Sequence, residues 1–244
     1  MRTSSQLVVF GVVCLVGVSL WFAFHRNPSK QALGARSLAT WGLAQELARR
    51  YPGTRAVAVS NPFAQKTGIR KEIQAVEEAG LAGLKEGFGQ AIQLEAVVFP
   101  EIRAEAKENP RAVHIPDTTT PLSYLVAEDS FDRLAQEHPS CDLIVSLIGL
   151  PADLGKVHVW QQAAPPRFAL LLPDLRVIGN AAAVRAALQS EKLAAFVVPH
   201  PTAPPEQTPV REDKKTEFEK RFILVTRDNF EEVLSKHRAL LNLR

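Results

Sequence analysis

The chain has 244 residues, of which 46% are hydrophobic, so it is long enough to bury one sizeable core. Its 29 basic and 26 acidic residues leave a formal charge of +3, and no basic run is interleaved with aromatic residues, which disfavours nucleic-acid binding. The only cysteines are Cys14 and Cys141, so neither a disulfide framework nor a cysteine-based metal site is indicated.

An uncharged apolar segment, Leu7–Phe24, follows a short tail formed by residues 1–6. A helix of these 18 residues is about 27 Å long, close to the roughly 30 Å hydrocarbon core of a bilayer. The segment ends in the bulky residues Trp21-Phe22-Ala23-Phe24, which favours an uncleaved transmembrane anchor over a cleaved secretory signal. We therefore predict a single-pass membrane protein that contacts the lipid bilayer through residues 7–24.

Two features of the sequence give opposite predictions for the orientation of this anchor in the membrane. Arg2 precedes the apolar segment, whereas Arg26, Lys30 and Arg36 follow it, and charge counting alone places the large domain in the cytoplasm. A short tail, one apolar helix and a globular remainder are instead typical of exported, anchored domains. We predict that the soluble domain lies on the periplasmic or extracellular side, with the cytoplasm as the open alternative.

The rest of the chain divides into a tether and a folded domain. Residues 25–36 are polar and predict a tether with Gly34 as its flexible point, and residues 37–244 predict an α/β domain. Ser37 is suited to cap a helix that continues to Tyr51-Pro52-Gly53.

Short apolar segments predict buried strands, and amphipathic segments between most of them predict helices. The predicted strands are 55–60, 91–99, 142–150, 168–172, 193–198 and 222–226. The predicted helices that follow the first of these strands are 69–87, 122–137, a weaker one at 152–162, 181–189 capped by Asn180, and one capped by Asp228 that ends near Leu243. This alternation predicts a mostly parallel, doubly wound, Rossmann-like α/β sheet of six strands that all run the same way.

Ligands of such sheets bind beyond the carboxyl ends of the strands, near the point where the strand order reverses. Two long loops, 101–121 and 199–210, leave from that edge and are candidate lids, although the proline-rich second loop equally fits a solvated surface excursion. The residues predicted to line a ligand site at this edge are Asn61, Glu101, Asp117, Thr118, Asp174 and His200.

Two of these predictions have plainer structural alternatives. Asp117-Thr-Thr-Thr120 is suited to cap the helix that follows it, or else to offer hydroxyl groups to an anion. Asn61 is suited to a turn as well as to a ligand contact.

Motifs for nucleotide or hydrolase chemistry are missing from the sequence. A phosphate-binding loop needs glycines directly after a strand, whereas Gly80, Gly83, Gly87 and Gly89 fall late in a predicted helix, where they favour close packing and helix termination. No G-x-S-x-G elbow is present, so a serine hydrolase of the α/β type is disfavoured.

The histidines are dispersed and include no H-x-x-x-H pair. A metal site would have to be assembled across the fold, for instance from His200, Asp174 and Glu101. We therefore predict neither a metal nor a cofactor.

Two passages resemble the strand-helix units of a known family. Arg55-Ala-Val-Ala-Val-Ser-Asn-Pro62 with the helix from Ile73 to Leu84, and Cys141-Asp-Leu-Ile-Val-Ser-Leu-Ile-Gly149, are similar to type I periplasmic substrate-binding proteins. The resemblance implies an α/β lobe that binds a small molecule. Members of that family have two lobes on a longer chain and are usually free or lipidated, whereas this chain is shorter and lacks a lipidation site.

Three hypotheses for function follow. The first is a membrane-anchored, non-enzymatic α/β domain that binds a small molecule or a partner at the carboxyl ends of its strands. The second is an enzyme at the same edge, in which Glu101 or Asp174 acts as acid or base with His200. The third is a structural component of an envelope complex that uses the proline-rich loop as its contact.

Overall fold

The computed structural model describes residues 28–65, 70–109, 111, 113–163, 165–206, 208–210, 213–241 and 243. The predicted tail, the predicted membrane segment 7–24 and the first part of the tether lie outside these residues. None of the helices within the described ranges is both long and apolar enough to cross a bilayer. The membrane anchor therefore remains a prediction.

A six-stranded sheet forms the centre of the domain. Its strands are β1 (Arg55–Val59), β2 (Gln93–Val98), β3 (Leu143–Ser146), β4 (Arg167–Leu171), β5 (Leu193–Pro199) and β6 (Phe222–Val225), in the order β2-β1-β3-β4-β5-β6. Strands β1 to β5 are parallel, which confirms the predicted α/β class and the mostly parallel sheet. The order reverses between β1 and β3, because the chain first adds β2 on one side of β1 and then β3 on the other.

The prediction that all six strands run the same way is wrong, because β6 pairs with β5 in the antiparallel direction. The connection from β5 to β6 does not return to the opposite edge of the sheet. The backbone N–H of His200, just after β5, donates to the carbonyl of Arg221, just before β6, at 2.7 Å. The chain therefore enters β6 from the edge at which it left β5.

Helices cover both faces of the sheet. They are α1 (Pro28–Arg50), α2 (Lys71–Phe88), α3 (Ala104–Glu108), α4 (Ser130–Glu137), α5 (His158–Gln161), α6 (Ala181–Gln189), α7 (Lys214–Arg221) and α8 (Phe230–Leu241). The predicted Asn180 cap of α6 is confirmed, because its side-chain oxygen accepts a hydrogen bond from the backbone of Ala183. Asp228 does not cap α8 and instead pairs with Arg50.

Two other helix predictions need correction, and one helix was not predicted. Helix α1 begins at Pro28, so residues 28–36 are helical rather than an extended tether and Ser37 is not a cap. The predicted helix 122–137 contains a 3-10 turn followed by α4, because Val126 forms an antiparallel bridge with Ile102 and takes the chain out of helical geometry. The helix that was not predicted is α7, which lies between the proline-rich loop and β6 and is capped by the side chain of Asp213.

The two faces of the sheet differ in side-chain size. Helices α1, α2 and α7 cover the face that carries the buried alanines Ala56, Ala58, Ala169 and Ala195. The opposite face carries larger side chains and is covered by α4, α5, α6 and α8. Small side chains let a helix approach a sheet closely, so α1 lies near the strands over much of its length.

Glycines also bring α1 and α2 into close contact. A Cβ atom at Gly83 would lie 2.0 Å from the carbonyl oxygen of Ser37, and one at Gly87 would lie 2.6 Å from that of Trp41. Gly89, with φ of +52°, ends α2 in a conformation that other residues rarely adopt. The packing and helix-ending roles predicted for these glycines are confirmed.

We expect Gly83→Ala to lower the free energy of unfolding by about 1–3 kcal/mol, because the clash with α1 outweighs the gain in helix propensity. Gly155→Ala is the matched control, since the nearest atom to a Cβ there, a carboxylate oxygen of Asp153, lies at an ordinary 3.5 Å. Urea unfolding of both variants measures the difference. An unchanged or raised stability in Gly83→Ala would contradict the observed packing of α1 on α2.

Candidate functional site

Three neighbouring cavities lie along the carboxyl edge of the sheet. The central cavity, of about 190 Å³, is lined by Arg36, Glu77, Thr120, Leu147 and Leu172 among others. It shares Arg36, Val76 and Leu172 with a larger apolar cavity of about 320 Å³, and Thr119 with an outer cavity of about 190 Å³. The three therefore follow one another across the exits of β3, β4 and β5, beside the point where the strand order reverses.

Arg36 lies between the central and apolar cavities. It projects from α1, and its Nη2 donates a hydrogen bond of 3.1 Å to the carbonyl of Leu147, just after β3. The same nitrogen lies 3.8 Å from Oε1 of Glu77, too far for a hydrogen bond. The Nε atom is buried and has no hydrogen-bond partner among the described residues. Burial lowers the pKa of Arg36 although Glu77 opposes this, so the charge is only partly compensated.

Glu77 connects the central cavity to the end of β1. Its side chain projects from α2 and is only 9% exposed. Oε2 accepts hydrogen bonds from the hydroxyl of Ser60 at 2.6 Å and from the backbone N–H of Asn61 at 3.5 Å. Ser60 is fully buried, so this carboxylate is its hydrogen-bond acceptor in place of water. The other carboxylate oxygen of Glu77, Oε1, faces Arg36.

Thr120 belongs to the first long loop and lines the central cavity. The residue is 6% exposed, and its Oγ1 atom is buried without a hydrogen-bond partner among the described residues. Gly149, with φ of +86°, lies directly beneath it, and a Cβ atom there would come within 2.9 Å of Thr120 and 2.7 Å of Ser123. Glycine at this turn therefore lets the loop close over the end of β3.

Asp117, Thr118 and Asp174, three of the predicted site residues, meet at the outer cavity. Asp174 accepts hydrogen bonds from Thr118 Oγ1 at 2.6 Å and from Arg176 Nε at 2.8 Å, and Arg176 Nη2 also donates to the carbonyl of Asp117 at 2.5 Å. Burial alone would raise the pKa of Asp174, but the hydrogen bonds from Arg176 and Thr118 outweigh it and hold this pKa below its ordinary value. The cluster thus fastens the first loop to the exit of β4. The predicted helix-capping role of this threonine-rich stretch is not what the structure shows, because the 3-10 turn at Pro121 has no side-chain cap.

The other three predicted residues have different surroundings. Asn61 Oδ1 accepts a hydrogen bond from the backbone of Phe63 at 2.9 Å, the turn arrangement that was its alternative interpretation. Glu101 is exposed and pairs with Lys107 and with Arg133.

His200 contacts Thr202 through Nδ1, and its ring centroid lies 6.0 Å from that of His237. It lines a separate open groove beside α1 and α7. The hydrogen bonds made by the described residues do not join His200 to Glu101 or Asp174, so the arrangement lacks the acid-base pair that the enzyme hypothesis needs. Across the described parts of the chain, no three metal-ligating side chains form a cluster.

The second long loop also forms a cavity wall. Ala203 and Pro204 line the apolar cavity. Hydrogen bonds from Arg221, which is 3% exposed, hold the loop in place. Arg221 Nη2 donates to the carbonyls of Thr208 at 3.0 Å and Pro209 at 3.3 Å, and its Nε lies 3.3 Å from Glu217. The proline-rich loop therefore lies against the domain.

Sequence reasoning missed Arg36, Glu77 and Thr120 as cavity residues. Arg36 was assigned to the tether, and Thr120 was considered only within the stretch Asp117–Thr120, as a helix cap or as an anion contact, and not as a predicted site residue. Glu77 had a detectable signal, because it lies four residues after Ile73 and seven before Leu84, on the apolar face of α2. A charged side chain on such a face needs a buried partner.

No family model and no curated protein matches this chain. Similar solved structures include a substrate-binding protein of a sugar ABC transport system from Bordetella parapertussis, with 14% identity, 66% of this chain covered and a TM-score of 0.39. An arabinose-binding protein from Geobacillus stearothermophilus has 11% identity, 81% coverage of this chain and a TM-score of 0.42. A periplasmic ribose ABC transporter protein from Conexibacter woesei has 13% identity, 84% coverage and a TM-score of 0.45. The chain spans 41%, 62% and 61% of these proteins, respectively. The three are described as sugar-binding or sugar-transport proteins, and the last of them as periplasmic; the strand-helix passages resemble substrate-binding proteins of this kind.

We expect the stabilising effect of the Asp174 cluster to depend on pH. Because folding lowers the pKa of Asp174, its contribution is present above the unfolded value of about 4 and is lost as the pH falls below it. Asp174→Asn should therefore lower stability at pH 7, and the difference from the unsubstituted chain should shrink below about pH 4. Urea unfolding at several pH values measures this.

Asp129→Asn is the matched control, because Asp129 is exposed and makes only a surface ion pair with Arg133. Its effect should be small throughout. A stability difference for Asp174→Asn that persists unchanged into acid would contradict the role assigned to the cluster.

Proposed function

We propose that this chain is a non-enzymatic α/β domain that binds a small molecule in the central cavity, with polar contacts from Arg36, Glu77 and Thr120. In this proposal residues 7–24 hold the domain at a lipid bilayer, on the periplasmic or extracellular side. Asp117, Thr118 and Asp174 support the cavity by fixing the first loop. Asn61 contributes through its backbone bond to Glu77.

The observation that carries the proposal is a pair of unsatisfied polar atoms in residues of one cavity wall. Arg36 Nε and Thr120 Oγ1 are both buried and lack hydrogen-bond partners among the described residues, and both residues line the central cavity. Buried polar groups are nearly always hydrogen-bonded, because an unpaired one costs about 1–3 kcal/mol. A bound molecule with hydrogen-bonding groups would satisfy atoms that the fold leaves unpaired.

Binding is favoured over the two other hypotheses by specific contacts. The carboxylate of Asp174 is occupied by Arg176 and Thr118, so it is not free to act as an acid or base on a substrate. The proline-rich loop is held by Arg221 and forms the wall of a cavity, which fits a lid better than a free contact surface for an envelope partner.

The test uses the full chain in phosphatidylcholine nanodiscs and a panel of sugars, polyols, amino acids and short- and long-chain carboxylates. At least one class should raise the melting temperature of the domain. Thr120→Val should leave the unliganded stability equal or higher, because it replaces an unpaired hydroxyl with a methyl group, and should weaken binding by about tenfold. Ser130→Ala is the matched control, because the Ser130 hydroxyl is also buried without a partner among the described residues but lies outside all three cavities, so this change should leave binding unaltered.

Two results would contradict this function. One is a panel without any stabilising compound. The other is a loss of unliganded stability in Thr120→Val, which would show that the hydroxyl already has a partner in the fold.

The membrane part of the proposal has its own test. A reporter that is active only outside the cytoplasm, fused after Arg244, should be active in membrane fractions. A fusion that lacks residues 7–24 should lose both the membrane association and the activity. Activity of a cytoplasm-specific reporter instead would place the domain inside, as charge counting alone suggests.

A further inference from the structure

We propose that the ligand is a single-chain amphiphile that comes from the bilayer, with its apolar chain in the apolar cavity and its carboxylate beside Arg36. This inference rests on the proposed function, because it names the ligand class of the same site. Three features of the described residues support it: the composition of the cavity wall, the position of the arginine and the direction of α1.

The apolar cavity has a wall suited to a hydrocarbon chain. Its volume of about 320 Å³ lies at the lower end of the range usual for small-molecule sites. Most of the wall is apolar, and its charged residues are Arg36, Glu206 and Arg221. Apart from Arg36, the side chains of α1 on this wall are alanines, which leaves room along the helix. The apolar wall residues include Ala32, Ala35, Ala39, Leu172, Pro204 and Phe222.

The polar end of the site is Arg36, where the apolar and central cavities meet. A guanidinium only donates hydrogen bonds, so the matching group on a ligand must be an acceptor. Glu77 Oε1 is 3.8 Å from the nearest guanidinium nitrogen, and Nε has no partner among the described residues. A carboxylate matches the geometry of a guanidinium and would accept a charge-assisted hydrogen bond that Glu77, at 3.8 Å, does not accept. Thr120 also lines the central cavity, and rotation of its side chain toward the ligand would let its unpaired hydroxyl donate a second hydrogen bond to the same head group.

The direction of α1 brings this site to the membrane. Arg36 contacts Leu147 at the carboxyl edge of the sheet, whereas Arg50 at the other end of α1 pairs with Asp228 at the opposite edge. Helix α1 therefore begins at the carboxyl edge. Only residues 25–27 separate Phe24 from Pro28, a distance of at most about 14 Å in extended chain. Ala32 lies about 6 Å further along the helix axis. If residues 7–24 cross the bilayer, the apolar cavity is held close to the lipid surface.

The experiment uses the full chain in phosphatidylcholine vesicles that contain a small fraction of a fatty acid with a photoreactive diazirine in its chain. After irradiation, peptide mapping should find label on the cavity wall, in the peptides that carry Ala32 and Ala35 or Ala203 and Pro204. Excess unlabelled dodecanoate should remove this label. Dodecanol, which has the same chain without the charge, and acetate, which has the charge without the chain, should not.

Two variants with matched controls test the two ends of the site. Arg36→Gln should reduce the wall labelling by about tenfold, as expected for the loss of one charge-assisted hydrogen bond, while Arg133→Gln on the surface should not change it. Ala35→Leu should block the apolar cavity, while Ala182→Leu, on the exposed side of α6, should not. The melting temperature shows whether each variant folds. If Ala35→Leu does not fold, Arg36→Gln and the competition with dodecanoate decide the question.

Label confined to residues 7–24, or equal competition by dodecanol and dodecanoate, would overturn the inference. If a sugar or another short polar compound still stabilises the domain in a Thr120-dependent way, the proposed function stands and only the ligand class is wrong. If no compound of the panel raises the melting temperature and dodecanoate does not remove the label, both proposals fail.

Discussion

The close contact between α1 and α2 is the constraint on which the candidate site depends. Gly83 and Gly87 have no side chains to separate the helices, and alanines on the sheet let the pair approach the strands. Arg36 and Glu77 project from these two helices toward the carboxyl edge, so their separation is set by the backbone contact. Gly80 contributes at the same place, because a Cβ atom there would lie 3.2 Å from Nε of Arg36. Packing of small residues thus positions the partly buried charge of Arg36 at the edge where ligands of parallel sheets bind.

The carboxyl edge is closed by two loops that are fastened in different ways. The first is held by a charged cluster around Asp174 and by the turn at Gly149. The second is held by the guanidinium of Arg221, which donates to backbone carbonyls while it pairs with Glu217. Both fastenings use hydrogen bonds to charged groups, which are stronger than bonds between neutral groups. They leave the central and apolar cavities between them, with Arg36 shared by both walls.

Three of the six residues predicted to line a site lie together at the carboxyl edge of the sheet. Asp117, Thr118 and Asp174 meet, because two segments that lie far apart in sequence leave the same edge of a parallel sheet. Glu101 and His200 also follow strands, but their side chains pair with Lys107 and Thr202 rather than with one another. The spacing of apolar residues predicts which residues follow a strand, but it does not predict the direction in which their side chains point. That direction depends on neighbours contributed by distant segments.

The sequence by itself determined the α/β class, the approximate positions of the six strands, the Asn180 cap and the packing role of the helix glycines. These features depend on local patterns of apolar, small and capping residues, which are readable without knowledge of the partners. Only the tertiary structure decided that β6 runs antiparallel, that the helix before β1 begins at Pro28 and that Arg36 lies against Glu77. Each of these depends on contacts between segments far apart in the chain, and the free energy of such contacts is not encoded in the spacing of residues within any one segment.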